Sequence, residues 1–279
     1  PVRQWVLSLP KRLRYHLDDA ELQNAVLHSF LRCIEQGLRQ GLVAADGQAR
    51  LGAVVFIHRL GALLNSHLHF HVVVIDGVFL GEDAETLRFE AVRLTPEAVQ
   101  RLQATIRQRI VGLFVRRGLL DKGDGDALCA SEHDAGFSLN AAVRIEGNDR
   151  QGLERLLRYC ARPAFAQERL RQIDAEHLVY ESPKPGPGGR VSQILTPLEL
   201  MDRLAALILP PRRHRHRYYG VLAPNSPLRP AVTALVPKPP PAAADAVAEE
   251  NLVSRTARYV WAMLLARIYE VFPLTCPKC

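Results

Sequence analysis

Three histidines alternate with apolar residues at positions 67, 69 and 71, in the order His-Leu-His-Phe-His. The segment continues as Val-Val-Val-Ile, a composition typical of a β-strand, and the two-residue period of a strand places His67, His69 and His71 on one face. Neutral imidazole is a common metal ligand in proteins. Side-chain roots two residues apart on a strand are separated by about 6 to 7 Å, so two neighbouring imidazoles can bind one divalent ion. The outer two roots are about 13 Å apart, and we therefore expect two ligands from this strand.

The same pattern has a simpler interpretation, in which a half-buried strand turns its histidines toward solvent or toward ordinary hydrogen-bond partners. That interpretation suits a single histidine. Three histidines in five positions, on a strand otherwise built of Phe, Val and Ile, favour the metal site.

The elements that must position this strand are predicted from hydrophobic period and capping residues. Residues 3–9 and 51–58 alternate as strands, and the short link before the histidine strand predicts that residues 51–58 pair with it in an antiparallel arrangement. Asp18 or Asp19 is suited to cap a long helix that reaches about residue 38.

Later segments predict an edge strand over residues 87–94, a helix that begins at a Thr-Pro-Glu sequence over 95–117, and an alternating strand over 137–145. They are followed by a short helix over 152–160, a hairpin over 179–195 and a second Thr-Pro helix over 196–209. Tyr159 lies in the last turn of the predicted short helix.

Composition predicts a globular chain with a sizeable core. The sequence has 279 residues, enough for one large domain or two small ones, and is 48% hydrophobic. No apolar run approaches the ~20 residues that span a bilayer, and the start does not resemble a signal peptide, so we expect a soluble, intracellular protein without a membrane partner. Five scattered cysteines predict reduced thiols. No phosphate-binding glycine loop is present, so ATP-driven chemistry is not indicated.

The net charge of +7 is compatible with a nucleic-acid partner, although an arginine-rich proteome would raise the charge without any ligand. The most basic run is Arg-Arg-His-Arg-His-Arg-Tyr-Tyr, in which guanidinium groups can neutralise phosphates and rings can stack on unpaired bases. A solvated edge strand is the alternative. We predict DNA contacts from Arg212, Arg213, Arg215, Arg217, Tyr218 and Tyr219.

The end of the sequence carries half of a zinc-binding pattern. Cys276 and Cys279 form a Cys-x-x-Cys pair, which supplies two of the four ligands of a structural zinc site. Both ends of the chain look cut, so the other ligands are expected beyond the terminus or on another segment.

Four motifs in order resemble one family along nearly the whole chain. They are HLHFHVVVIDGVF, RIEGNDRQGLERLLRYCARPAF, LVYESPKPGPGG and HRHRYYGVLAPNSPLR. The string His-Phe-His-Val-Val-Val, followed about 90 residues later by a tyrosine on a helix, resembles the HUH endonucleases, the superfamily of rolling-circle replication initiators, relaxases and single-strand transposases. More narrowly, the four motifs are similar to rolling-circle transposases of the insertion-sequence common-region type.

The resemblance implies an α+β fold, with an antiparallel sheet flanked by helices and further α/β elements toward the C-terminus. It implies that Tyr159 is the nucleophile, and that His69 and His71 bind a divalent metal, Mg²⁺ or Mn²⁺. A third metal ligand is expected. Asp76 lies at the end of the histidine strand, and His58 and His67 are ranked together as the preferred candidates. Two-tyrosine relatives carry a second tyrosine four residues away, but Arg155 and Pro163 occupy those positions, so the chain resembles the single-tyrosine type.

The expected activity is metal-dependent nicking and joining of single-stranded DNA at element ends and target, through a 5′-phosphotyrosine. Arg162 is a further candidate for phosphate contact, although a cation at a helix C-terminus explains it equally well. The expected location is the bacterial cytoplasm, associated with the nucleoid, and the oligomeric state is left open.

The predicted domains are a catalytic core over residues 1–183 and a DNA-contacting extension over 184–234. A Pro/Ala linker over 235–250 follows, and then a C-terminal helix over 251–279 that leads to the cysteine pair with its possible zinc. Two alternative functions stay open. One is a histidine-triad nucleotide hydrolase or transferase, in which the middle histidine is the nucleophile and no metal is needed, and the other is an inactive DNA-binding transposase remnant.

Overall fold

A computed structural model describes residues 1–42, 49–131, 136–162, 165–182, 187–207, 214 and 216–235. The chain divides into two compact units, Pro1–Val232 and Thr233–Cys279. All but the first three residues of the second unit lie outside the described residues, and so do the predicted linker, the terminal helix and the cysteine pair. The elements below build the first unit.

Eleven strands are present in the described part of the chain. They are β1 (Val2–Ser8), β2 (Gly52–Leu60), β3 (Ser66–Ile75), β4 (Gly77–Leu80), β5 (Arg88–Ala91), β6 (Ser138–Asn140), β7 (Arg144–Ile145), β8 (Leu170–Gln172), β9 (Leu178–Glu181), β10 (Ser192–Leu195) and β11 (His216–Gly220). The histidine strand β3 is central in a sheet of order β11-β2-β3-β1-β6, with β7 also paired to β1. Every pair in this sheet is antiparallel.

Seven α-helices accompany the strands in the same described residues. They are α1 (Lys11–Arg14), α2 (Ala20–Gln40), α3 (Pro96–Arg116), α4 (Lys122–Ala130), α5 (Arg150–Ala161), α6 (Pro197–Ala205) and α7 (Arg229–Ala234). The fold is therefore α+β with an antiparallel sheet flanked by helices, as predicted. No helix among the described residues has both the length and the hydropathy that a membrane crossing requires.

Side-chain caps begin the long helices where the sequence predicts them. The Asp19 carboxylate accepts a hydrogen bond from the Leu22 N–H at the start of α2. The Thr95 hydroxyl accepts one from Ala98 at the start of α3. Such caps satisfy N–H groups that have no partner inside the helix, so each helix begins at a defined residue.

One face of the main sheet packs against α2 and α3 and forms the principal core. Phe70 of β3 is fully buried there, together with Phe30 and Ile34 of α2 and Phe114 of α3. Large side chains of this kind each contribute about 1.5 to 3 kcal/mol when they are fully buried. The sheet and these helices therefore form a firm base for the residues on the opposite face.

The opposite face carries the histidines, and α5 packs on part of it. Leu156 and Cys160 of α5 pack against Phe56 of β2 and Val73 of β3. Because paired residues of neighbouring strands share a face, the sheet register determines which polar side chains meet beside α5.

Two smaller sheets and three helices that the sequence analysis did not predict, α1, α4 and α7, complete the described fold. Strands β4 and β5 form a two-stranded sheet, and β8, β9 and β10 form a three-stranded one that includes the predicted hairpin. The strand predicted over residues 137–145 is divided into β6 and β7, and α4 has no counterpart in the sequence prediction. The predicted domain boundaries stay predictions, although β11 of the predicted extension pairs with β2 in the main sheet.

Candidate active site

His58, His69 and His71 form a cluster that could hold a metal ion. One ring nitrogen from each residue lies within 4.8 Å of the other two. His58 of β2 pairs directly with His69 of β3, and His71 follows two residues later on the same face. The ring centroids of His58 and His71 are 4.5 Å apart, and those of His69 and His71 are 5.0 Å apart. Sheet register thus adds a cross-strand imidazole to the two predicted from β3.

Backbone hydrogen bonds select the tautomers of His58 and His69. The Nδ1–H of His69 donates to the carbonyl oxygen of His67 at 2.7 Å. The Nε2–H of His58 donates to the carbonyl oxygen of Cys160, also at 2.7 Å. In neutral rings these bonds leave the lone pair on Nε2 of His69 and on Nδ1 of His58. Backbone carbonyls are frequent outer partners of metal-bound imidazoles, because they orient the ring and increase its basicity.

The amide of Gln4 determines the tautomer of His71. Gln4 Nε2 lies 2.9 Å from His71 Nδ1 and 3.3 Å from the Cys160 sulfur. In that orientation the amide donates to Nδ1, and the ring proton lies on Nε2. Rotation of the amide by 180° places Oε1 at the same point, where it accepts from Nδ1–H and from the Cys160 thiol, and Nε2 of His71 then carries the lone pair. The second orientation is the one that suits metal binding.

Burial keeps the imidazoles of β3 neutral. Desolvation lowers the pKa of His69 to about 4, the hydrogen bond to the His67 carbonyl opposes this shift, and electrostatic interactions with His58, His67 and Arg14 add to it. Desolvation, followed by the charges of His58 and His69, lowers the pKa of His71 to about 3. Metal ions bind the neutral imidazole, so His69 and His71 have the protonation state of ligands at pH 7.

His67, the other candidate for a third ligand, lies outside the cluster. Its Nδ1 accepts a hydrogen bond from the Arg14 guanidinium, and its Nε2–H donates to the Ser8 hydroxyl at 3.1 Å. Burial and the nearby charge of Arg14 lower the pKa of His67 to about 4. Both ring nitrogens are therefore engaged, which leaves no lone pair for an ion.

Tyr159 lies at the end of α5, next to the cluster. Its ring centroid is 5.7 Å from that of His71, and its side chain is 55% exposed. Cys160, the next residue, is completely buried beneath the helix, and burial raises the pKa of its thiol to about 11. The buried Cys160 anchors the last turn of α5 while Tyr159 stays accessible to a substrate.

The donor set fits a divalent ion. Three imidazoles on a rigid sheet can occupy part of the coordination shell of Mn²⁺, Zn²⁺ or Ni²⁺, and oxygen atoms of a substrate phosphate can complete it. Mg²⁺ prefers oxygen ligands and bound water, so a three-histidine set suits it less well than Mn²⁺.

Of the predicted DNA-contacting residues, Tyr218 lies on the same face of the sheet as the cluster. It is 41% exposed, and the Arg229 guanidinium lies 5.4 Å from its ring centroid. Arg217 and Tyr219 lie on the opposite face, where Arg217 donates to the Asn24 side chain and Tyr219 meets the His28 ring. Arg212, Arg213, Arg215, Cys276 and Cys279 lie outside the described residues.

Arg162 lies just beyond α5, and its guanidinium is 3.9 Å from the Glu168 carboxylate. The side chain is exposed, as the alternative interpretation of a helix C-terminal cation also requires.

Sequence reasoning missed several polar residues that surround the cluster. Gln4 and Ser8 alternate with Val2 and Val6 on one face of β1 and are the polar residues of that face. That polarity is a signal that the sequence contains. The contacts of Gln4, Ser8 and Arg14 with the histidines depend on which strands become neighbours, and the sequence does not show this.

Comparison with known proteins identifies the family. No curated protein and no solved structure matches the chain at a significant level. Residues 52–229, well over half of the 279 residues, match the model of the family Y2_Tnp, described as "Putative transposase". The matched segment includes the three clustered histidines, helix α5 and strand β11. The chain therefore belongs to this family of transposases.

Proposed function

We propose that this transposase nicks and joins single-stranded DNA by the HUH mechanism, with Tyr159 as the single nucleophile and with a divalent ion held by His58, His69 and His71. The observation that carries the proposal is the position of Tyr159, whose ring centroid lies 5.7 Å from that of His71. An exposed phenol beside a potential metal site is the pair of groups that phosphoryl transfer by tyrosine requires.

In the proposed reaction the hydroxyl oxygen of Tyr159 attacks the phosphorus of the scissile phosphodiester. The new bond joins this oxygen to phosphorus, the bond from phosphorus to the 3′ oxygen breaks, and a proton passes from the phenol to solvent while the 3′ oxygen gains one. The products are a 5′-phosphotyrosine and a free 3′-hydroxyl. A divalent cation bound by the histidine cluster would withdraw charge from a non-bridging phosphate oxygen.

Rejoining needs no outside energy source, because the phosphotyrosine bond keeps the energy of the phosphodiester. Attack by a 3′-hydroxyl on the phosphotyrosine releases Tyr159 and seals the strand. This agrees with the lack of a phosphate-binding glycine loop in the sequence.

Helix α5 supports a mechanism with one covalent link at a time in each protomer. Tyr159 is the only tyrosine of the helix, and Arg155 occupies the position one turn before it. Arg155 cannot serve as a second oxygen nucleophile.

The β11 edge of the sheet, where Tyr218 is exposed, offers a site for a DNA strand next to the part of the sheet that α5 covers at Val73. Gln4, Val73, Val54 and Tyr218 pair in one row across the strands, and the next row contains His71 and His216. Neighbouring rows on one face are about 6 to 7 Å apart, close to the spacing of extended nucleotides. Tyr218 can stack on an unpaired base while the adjoining phosphates reach the cluster.

The proposal is tested with end-labelled single-stranded oligonucleotides that carry candidate element ends, incubated with Mn²⁺, with Mg²⁺ or with EDTA. A covalent adduct on a denaturing gel is expected with metal only. Tyr159→Phe and His69→Ala should each abolish it. Tyr15→Phe is the matched control, because Tyr15 is also exposed, at 61%, and the substitution removes the same hydroxyl.

The outcomes separate the alternatives. If the adduct forms in Tyr159→Phe but not in Tyr15→Phe, the nucleophile is Tyr15 and the proposal is contradicted. Strand binding without any adduct would favour the inactive remnant. Metal-independent nucleotide hydrolysis that persists in Tyr159→Phe would favour the histidine-triad activity.

A further inference from the structure

Among the residues that the structure describes, no carboxylate pairs with Arg14, whose guanidinium lies beside the histidine cluster. Its guanidinium donates to Nδ1 of His67, and the ring centroid of His67 lies 5.0 Å from that of His69. Within the described ranges, no carboxylate lies at ion-pair distance from Arg14, and the Nε–H is buried without a hydrogen-bond partner. The Nε–H of Arg59 is also buried without a hydrogen-bond partner, but the Arg59 guanidinium lies 3.5 Å from the Asp18 carboxylate, which balances its charge.

The guanidinium is held in place before any ligand arrives. Because Nδ1 of neutral His67 accepts from Arg14, its Nε2–H is available to the Ser8 hydroxyl, and Ser8 belongs to the fully paired strand β1. Arg14 itself lies at the end of α1 and is only partly exposed. Because the Arg14 guanidinium is already oriented, its side chain loses little conformational entropy when it binds a phosphate. Such an arginine is well suited to phosphate binding.

Partial burial of the Arg14 guanidinium costs free energy, because its charge loses contact with water, and a bound anion would compensate this cost. Burial lowers the pKa of Arg14, which means that the surroundings disfavour its charged form. A phosphate oxygen next to the guanidinium would supply both the missing negative charge and an acceptor. A bound divalent ion would add more positive charge to the same small region, so the need for an anion increases when the cluster is loaded.

We propose that Arg14 binds a backbone phosphate of the single-stranded DNA substrate and holds it beside the His58–His69–His71 cluster. This inference rests on the proposed function, since it assumes that the cluster faces a DNA strand. Arg14 thereby acts in substrate binding, and His67 and Ser8 act through it as positioning residues.

The test measures binding of a fluorescein-labelled 30-nucleotide oligothymidylate by fluorescence anisotropy, in EDTA, over a series of NaCl concentrations. The variants are Arg14→Gln and Arg12→Gln. Arg12 is the matched control, because it lies on the same helix and loses the same charge, but it is exposed and paired with Asp124 at 3.0 Å. EDTA removes any contribution from metal to the measured affinity.

The expected result is a change in salt dependence. Each phosphate contact to a single strand contributes a slope of about −0.7 in log K against log salt, so Arg14→Gln should make the slope less steep by about 0.7. When the salt concentration is raised fourfold, the factor by which Arg14→Gln loses affinity should then be about 2.6 times smaller than the factor for the wild-type protein. Arg12→Gln should keep the wild-type slope, and Arg14→Lys, which keeps the charge, should restore it.

A second measurement does not depend on affinity. The Arg14 Nε–H signal in a ¹H–¹⁵N spectrum, assigned by its loss in Arg14→Lys, should shift when oligothymidylate is added, because a phosphate bound to the accessible part of the same guanidinium changes the electronic environment of this N–H. The Arg12 signal should stay unchanged. Thermal unfolding of each variant verifies that the fold is retained, and if Arg14→Gln unfolds, the lysine variant and the spectrum decide.

Two failures are distinguishable. If the wild-type protein binds the strand and Arg14→Gln behaves as Arg12→Gln does, the role of Arg14 is overturned while the proposed function stands. If the wild-type protein does not bind single-stranded DNA at all, the proposed function is wrong and the inference falls with it.

Discussion

The Nε2 of His58 lies 2.7 Å from the carbonyl oxygen of Cys160, the residue that follows Tyr159. This hydrogen bond joins the edge of the histidine cluster to the last turn of α5. The same bond places the ring proton of neutral His58 on Nε2 and the lone pair on Nδ1. One imidazole thus connects the histidine cluster with the backbone that carries the proposed nucleophile.

Removal of His58 should weaken metal binding more than removal of His67. In His58→Ala the cluster loses one of three ligands, and the affinity for Mn²⁺ should fall at least about tenfold. In His67→Ala it should change less than about twofold, because both nitrogens of His67 are already engaged. Isothermal titration calorimetry measures the Mn²⁺ affinity of the two variants and of the wild-type protein. A larger loss in His67→Ala would make His67 the third ligand in place of His58.

Substitutions of Gln4 should change metal affinity through the tautomer of His71. Gln4→Met removes the amide with little change in volume, and Mn²⁺ affinity should fall about tenfold. Gln4→Glu supplies only an acceptor toward Nδ1 of His71, so the lone pair stays on Nε2 and affinity should equal or exceed that of the wild-type protein. Equal losses in both variants would show that Gln4 acts only by filling space.

Acid should destabilise the folded protein through the buried imidazoles. The pKa values of His69 and His71 are lowered in the fold to about 4 and about 3, so the unfolded chain binds protons more readily below pH 6.5. Their contribution to stability is complete above pH 6.5 and is lost as the pH falls toward 4. Between pH 7 and pH 5 we expect a loss of ~1 kcal/mol for each imidazole, after allowance for solvent screening.

Urea unfolding at several pH values measures this loss in the metal-free protein. The variant His71→Asn should show a shallower dependence on pH, because it removes one of the three imidazoles, those of His67, His69 and His71, whose pKa is lowered in the fold. A wild-type protein with constant stability from pH 7 to pH 5 would contradict the prediction.

Loss of the Asp76 carboxylate should destabilise the fold, although Asp76 makes no hydrogen bond to the histidine cluster in the described residues. Asp76 is completely buried and binds the guanidinium groups of Arg3, at 3.2 Å, and Arg144, at 2.6 Å. Asp76→Ala leaves the buried Arg3 without a carboxylate partner and Arg144 with only the exposed Glu146, and the free energy of unfolding should fall by about 3 to 5 kcal/mol. Asp124→Ala, which removes one half of an exposed pair with Arg12, should cost less than about 1 kcal/mol in the same denaturation experiment.

Tyr218 should contribute to strand binding, whereas Tyr219 should not. A base stacked on an aromatic ring contributes about 1 to 3 kcal/mol, so Tyr218→Ala should weaken binding of oligothymidylate at least about fivefold. Tyr219→Phe should leave it unchanged, because Tyr219 packs against the principal core on the other face of the sheet. Equal affinities of the two variants would remove Tyr218 from the DNA path.

Much of the fold follows from local patterns in the sequence. Strand β3 and its histidine face arise from two-residue alternation, and α2 begins at a predicted cap, Asp19. The two candidate ligands on β3 and the position of Tyr159 in the last turn of α5 follow from the same short-range rules. These features depend on residues a few positions apart, and so they can be derived from the chain without knowledge of its neighbours.

Other features were decided by tertiary structure. The sequence leaves His58 and His67 as equal candidates, and only the register that pairs His58 with His69 places the former in the cluster. The contacts of Gln4 with His71 and of Arg14 with His67 join residues more than 50 positions apart. Local propensity carries no information on which distant strands become neighbours, because that choice is made by burial of the whole sheet against α2 and α3. The residue types for the chemistry are thus present in the sequence, and the packing of the core determines which of them meet.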